Sequence, residues 1–165
     1  MKKLTIIIAV AGILIFTGCK PEDIKSYEPY SAYNINNLQG TWKVSKVTQS
    51  DEDSKRKNFP YKTLDLTTSL NLSGIEISLN LNAAKPSTFS VNYGTAPQMF
   101  KFTEGNWQLD DVNKPGKFWL INNLDTVKFV LGAYTTLANN KLVLKQTKFL
   151  GNTPMITYEY EFSKN

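Results

Sequence analysis

The strongest constraint in this sequence is a period of two. From Pro154 to Ser163, residues Ile156, Tyr158, Tyr160 and Phe162 fall on one side of an extended chain, and Thr157, Glu159, Glu161 and Ser163 fall on the other. Side chains alternate across a strand, so this apolar and polar division describes a strand with one face buried. Shorter runs of the same kind reach back to Thr41. Thr41 to Gln49 has Trp42 and Val44 on one face and Val47 out of phase, which implies a bulge. Ile75, Ile77, Leu79 and Leu81 form a second clear run, followed by Ser87 to Tyr93 and by Met99 to Glu104, which continues past Gly105 to Trp107 and Leu109. Lys117 to Ile121, Thr126 to Tyr134 and Lys141 to Phe149 follow, with turn-prone residues at Ala83 to Pro86, Asp110 to Gly116, Asn122-Asn123, Asn139-Asn140 and Gly151-Asn152. Leu64, Leu66, Leu70 and Leu72 also alternate, but Asp65 to Thr68 fits one helical turn equally well, and both readings stay open.

From residue 19 onward the chain has 14 Thr and 16 Asn but only 6 Ala, a mixture that favours strands and turns over helices. The expected fold is therefore all-β. About eight strands joined by short hairpins close most economically into an antiparallel up-and-down barrel, because closure leaves no bare edge. A β-sandwich is the alternative, since counting hairpins does not reveal closure.

The first residues have another character. Lys2 and Lys3 precede an uncharged, mainly apolar stretch from Leu4 to Phe16, and Thr17, Gly18 and Cys19 follow. As a helix this stretch spans about 20 Å, short of the roughly 30 Å hydrocarbon core, so residues 1–18 read as a cleaved signal peptide. Phe16-Thr17-Gly18-Cys19 resembles the lipobox of bacterial lipoproteins, which implies acylation of Cys19 and attachment to a membrane through it. Residues 19–36 then contain Pro21, Pro29, Glu22, Asp23 and Glu28 without an apolar period, and read as a tether with a span of roughly 23 Å. Residues 37–165 form the domain. Lys20-Pro21-Glu22-Asp23 is similar to the charged surface-export tags of Bacteroidota lipoproteins, which places the protein in the cell envelope, at the outer membrane, with its domain in solvent.

Much chemistry is excluded early. Histidine is absent and Cys19 is the only cysteine, so His-based triads, Cys/His zinc sites, thiol catalysis and internal disulfides have no residues to build on. The formal charge of +5 is small and scattered, and points to no nucleic-acid partner. Asp110-Asp111 with Asn113 lacks the spacing of a calcium loop and reads as a solvated turn. Asp51 to Asn58 reads as a charged loop that nearly neutralises itself. Glu159 and Glu161 lie about 7 Å apart on the polar face of the last strand, with Lys145 on the preceding strand as an ion-pair partner, so they form no catalytic pair. No catalytic residue, metal site or cofactor is expected, and the protein is read as non-enzymatic.

Leu38-Gln39-Gly40-Thr41-Trp42 resembles the Gly-x-Trp start of the first strand in lipocalins and their calycin relatives. Gly105-Asn106-Trp107-Gln108-Leu109-Asp110-Asp111, with Pro115 after it, is similar to the mid-domain pattern of lipocalin-like lipoproteins of Bacteroidota. The resemblance implies a lipocalin-like barrel in which Gly40 permits a tight turn and Trp42 plugs the closed end. It also implies a basic residue over that tryptophan, which is not an arginine here, since the sequence's one arginine, Arg56, lies in the charged loop.

Two functions are expected to compete. In the first, the anchored barrel takes a small hydrophobic ligand or glycan into one end, with Trp42 as floor, Trp119, Phe129, Tyr158 and Tyr160 as walls, and Trp107 at the rim. In the second, the 16 aromatic residues between Asn37 and Asn165 fill the interior, and an interaction or structural lipoprotein works through its outer surface in a cell-surface complex, such as one for glycan uptake.

Overall fold

The structure, a computed structural model, describes residues 34–165. The expected signal peptide, Cys19 and the tether up to residue 33 lie outside them. Among the described residues nine strands occur: β1 (Gly40–Asp51), β2 (Thr63–Asp65), β3 (Glu76–Asn82), β4 (Lys85–Asn92), β5 (Glu104–Leu109), β6 (Lys117–Asn122), β7 (Asp125–Leu131), β8 (Lys141–Leu150) and β9 (Thr153–Lys164). Every pairing is antiparallel. From β3 to β9 each strand pairs with the next in sequence, β1 pairs with β3, and β9 returns to β1, which closes an eight-stranded up-and-down barrel with β2 outside the ring.

β1 carries this closure. One of its edges pairs along nearly its whole length with β9, from Trp42↔Lys164 to Asp51↔Ile156. Its other edge is shared, with β3 taking Gly40 to Lys43 and β2 taking Thr48 to Ser50. The bulge implied by the sequence lies between Val44 and Lys46, where the extra residue Ser45 donates its hydroxyl to Glu161 O at 3.1 Å. It lets Trp42, Val44 and Val47 all face inward, and all three are buried.

Some local expectations are corrected. Asp51 to Asn58 is not a plain loop, since Glu52–Arg56 forms a short helix, α1, whose N-cap Asp51 accepts from Ser54 N at 2.8 Å. Acids open it and Lys55 and Arg56 close it, the distribution that a helix dipole favours. The segment from Leu64 to Leu72 divides between the alternatives, with strand β2, then a turn, then a 3-10 turn at Leu72–Gly74. Thr126 to Tyr134 is not one strand, because β7 ends at Leu131 and Tyr134–Ala138 forms a helix, α2. Met99 to Thr103 is loop rather than strand, and β5 begins only at Glu104. Residues before Asn37 already pack on the barrel, since Ile35 is buried and Asn34 caps a 3-10 turn over Ile35–Asn37.

The strand directions define two ends. The start of β1, the β3–β4 and β5–β6 turns, α2 and the end of β9 share the closed end. The open end carries α1, β2, the long β4–β5 loop (93–103) and the β6–β7 and β8–β9 hairpins.

Candidate functional site

The closed end is built around Trp42. Gly40 turns the chain into β1 at φ +121°, a conformation that L side chains rarely adopt. Trp42 is fully buried, and its indole Nε1 donates back to Leu38 O at 2.8 Å, just after the 3-10 turn. The register then sets Lys164 opposite Trp42, where its Nζ lies 5.1 Å from the ring centroid and donates to Asn37 O at 3.0 Å. A lysine on β9 thus occupies the position over the tryptophan for which the resemblance calls for a basic residue. The sequence signal was present but easy to miss: Lys164 takes the next position of inward parity after Phe162, two residues further on.

The five residues expected to touch a ligand separate into three groups. Trp107, Phe129 and Tyr160 are buried inside the barrel and linked by packed rings. Trp107 stacks on Phe118 at 5.4 Å, Phe118 meets Phe129 at 6.2 Å, and Phe129 meets Tyr160 edge-on at 6.3 Å. Trp107 is no rim residue, since its Nε1 donates to Asn80 O at 2.8 Å and its ring is fully buried. Tyr158 is half-buried and stacks on Tyr160 at 6.4 Å. Trp119 differs: Phe118 and Leu120 take the inward positions of β6, so Trp119 points outward, in register between Gln108 and Lys128. Phe118 to Ile121 is apolar on both faces, and such a run carries no phase.

The sequence reading also missed Phe100. The β4–β5 loop folds it into the open end, where its ring lies 5.0 Å from Tyr160 and 5.7 Å from Phe129. Tyr93 holds the loop in place, because Phe100 N donates to the Tyr93 hydroxyl at 3.1 Å. Burial pushes the Tyr160 phenol above the usual tyrosine range, with Tyr158 and Tyr93 adding to the effect, and burial also raises Tyr93. These phenols are neutral packing groups at ordinary pH and not bases.

Polar clusters serve their own loops. Asp110 Oδ1 accepts from Gly116 N and Lys117 N at 2.9 Å each, and Asp111 Oδ1 accepts from Asn113 N at 2.7 Å. Glu159 pairs with Lys145 at 2.6 Å, the partner anticipated from sequence. Among the described residues no group of three acidic or sulfur ligands converges on a point. The connections at the open end, in contrast, expose large apolar side chains: Phe59 and Tyr61 after α1, Leu124 at the β6–β7 hairpin, and Phe149 and Leu150 at the β8–β9 hairpin, with Tyr61 94 % and Leu150 73 % exposed. No family model and no curated protein matches the chain.

Proposed function

We propose that this protein is a non-enzymatic interaction lipoprotein of the bacterial envelope, held at a membrane through acylated Cys19, that binds partners with the outer surface of a filled barrel. The observation that carries this reading is the continuous aromatic packing from Trp107 through Phe118 and Phe129 to Tyr160, with Phe100 closing it from the open end. An eight-stranded barrel has room for its own side chains or for one small ligand, and here the side chains supply the volume. Apolar groups that would line a pocket are instead spent on packing, while others stand exposed on the loops at the open end.

Several features support the anchored form of this reading. The lipobox-like run ends at Cys19, and the tether precedes a domain whose chain enters at the closed end. The open-end loops then lie on the side of the barrel away from that entry. Native mass spectrometry of the protein isolated from its own host tests the reading. The expected masses are those of the acylated polypeptide, alone or with a protein partner. A retained small molecule would overturn it in favour of ligand carriage inside the barrel.

A further inference from the structure

The barrel wall is incomplete on one side. β7 and β8 share only two register pairs, Val130↔Lys145 and Leu131↔Leu144. Yet β7 extends back to Asp125 and β8 forward to Leu150. Continued at the same register, residues 126–128 would face 147–149. They line instead the two lips of an open cleft of about 460 Å³, floored by Met99, Phe100 and Lys101. Phe100 explains the split: its ring packs on Phe129 of β7 and Tyr160 of β9, and so occupies space next to the line along which β7 and β8 would zip together.

The floor does not satisfy the lips. Phe100 N bonds to the Tyr93 hydroxyl, and Gln98 Nε2 donates to Phe100 O and Lys101 O at 3.0 and 3.3 Å. Among the described residues no backbone bond joins this loop to residues 126–128 or 147–149. Peptide groups directed into the cleft are thus left to whatever enters it, and strand edges of this kind are templates for another strand. The charge is one-sided. Lys128 stands on one lip and Lys148 on the other, and neither forms an ion pair among the described residues. Lys101, on the floor, is held by Asp125 at 2.8 Å, so that acid is already engaged.

We propose that the β7–β8 split receives an extended, acidic segment of a partner polypeptide, which adds as a strand to the open lips and sets its carboxylates against Lys128 and Lys148. This deepens the surface-binding reading and rests on it. Strand addition satisfies the lip peptide groups, whereas an acyl chain leaves them unpaired. Lys128 shares the outward face of β7 with its partner Trp119, whereas Lys148 pairs with Ile156 on the inward parity of β8, so acids at adjacent positions of the added strand, which point to opposite faces, suit one lysine on each lip.

The test uses the full-length chain and an octapeptide of valine and threonine with two adjacent glutamates at its centre, followed by fluorescence anisotropy and hydrogen exchange. Saturable binding is expected, with new amide protection confined to residues 126–129 and 146–149. The double variant Lys128→Glu/Lys148→Glu, with a melting temperature like the parent's, should bind about tenfold more weakly or worse. A peptide with lysine in place of glutamate should not bind. Absence of binding, unchanged affinity in the double variant, or equal affinity for a peptide N-methylated along its backbone would each overturn the proposal. So would dodecanoate giving the same protection, which would make the split a site for anionic amphiphiles. Failure here leaves the filled barrel intact, whereas a small molecule retained in the native mass spectrum would remove that reading without touching the split.

Discussion

Replacing Trp42 by alanine tests the plug. A buried tryptophan withdraws about 150–250 Å² from water, and at roughly 25 cal/mol per Å² this transfer is worth about 4–6 kcal/mol, an upper bound because unfolded chains already bury some surface. Trp42 reaches that limit, being fully buried. The substitution also leaves Leu38 O without the indole donor, and an orphaned buried acceptor costs about 1–3 kcal/mol. Water entering the vacated end offsets part of this, so about 4 kcal/mol is expected, within the 3–5 kcal/mol range of such truncations. For a domain of this size that lowers the melting temperature by roughly 12–20 °C. Thermal unfolding followed by circular dichroism reads the loss. Trp42→Phe, which keeps an aromatic ring under Lys164 but loses the hydrogen bond, should lie between parent and alanine variant. A melting temperature for Trp42→Ala within about 2 °C of the parent would refute the reasoning, since a side chain worth so little holds nothing shut.

Gly105→Ala should be nearly as damaging: Gly105 sits at φ +151°, and an added Cβ would collide with the carbonyl oxygen of Ile121 and approach Phe89 at 3.0 Å, costing about 3 kcal/mol in urea unfolding. Tyr160→Phe should change stability at neutral pH by less than about 1 kcal/mol, because the hydroxyl makes no hydrogen bond to a described residue. Burial raises the folded phenol's pKa above its unfolded value near 10, so its stabilisation is complete below about pH 10 and is lost as pH rises beyond that; the variant should show a shallower alkaline loss in a pH series of melts. Cys19→Ser should release the protein from the membrane fraction or block its processing, and a variant that fractionates like the parent would defeat the lipoprotein reading.

The barrel was legible where burial was one-sided. β9 alternates without a break, and its inward Tyr160 and Phe162 are buried as the pattern requires. The bulge in β1 showed itself as a phase slip between Val44 and Val47. Trp119 was misplaced because its strand is apolar on both faces, so only its pairing with β5 and β7 settles the phase. Phe100 lay within an alternating run, and its escape from the ladder depends on a side chain seven residues earlier, Tyr93, holding the loop. The β7–β8 split was invisible for the same reason: it is a gap in pairing, and periodicity reports faces, not partners.

The closure between β1 and β9 governs how the molecule can be assembled. Its nine register pairs join residues more than a hundred positions apart, such as Trp42 with Lys164 and Asp51 with Ile156. Hairpins from β3 to β9 can form locally and early, whereas this seam must overcome the entropy of the largest loop in the domain. It is therefore expected to form late, and until it does β1 and β9 each present a bare edge that a neighbouring chain can pair with. A partly made or nicked chain that lacks β9 leaves β8 exposed in the same way. The strand that shields the barrel once folded is also the one whose delay carries the greatest risk of aggregation.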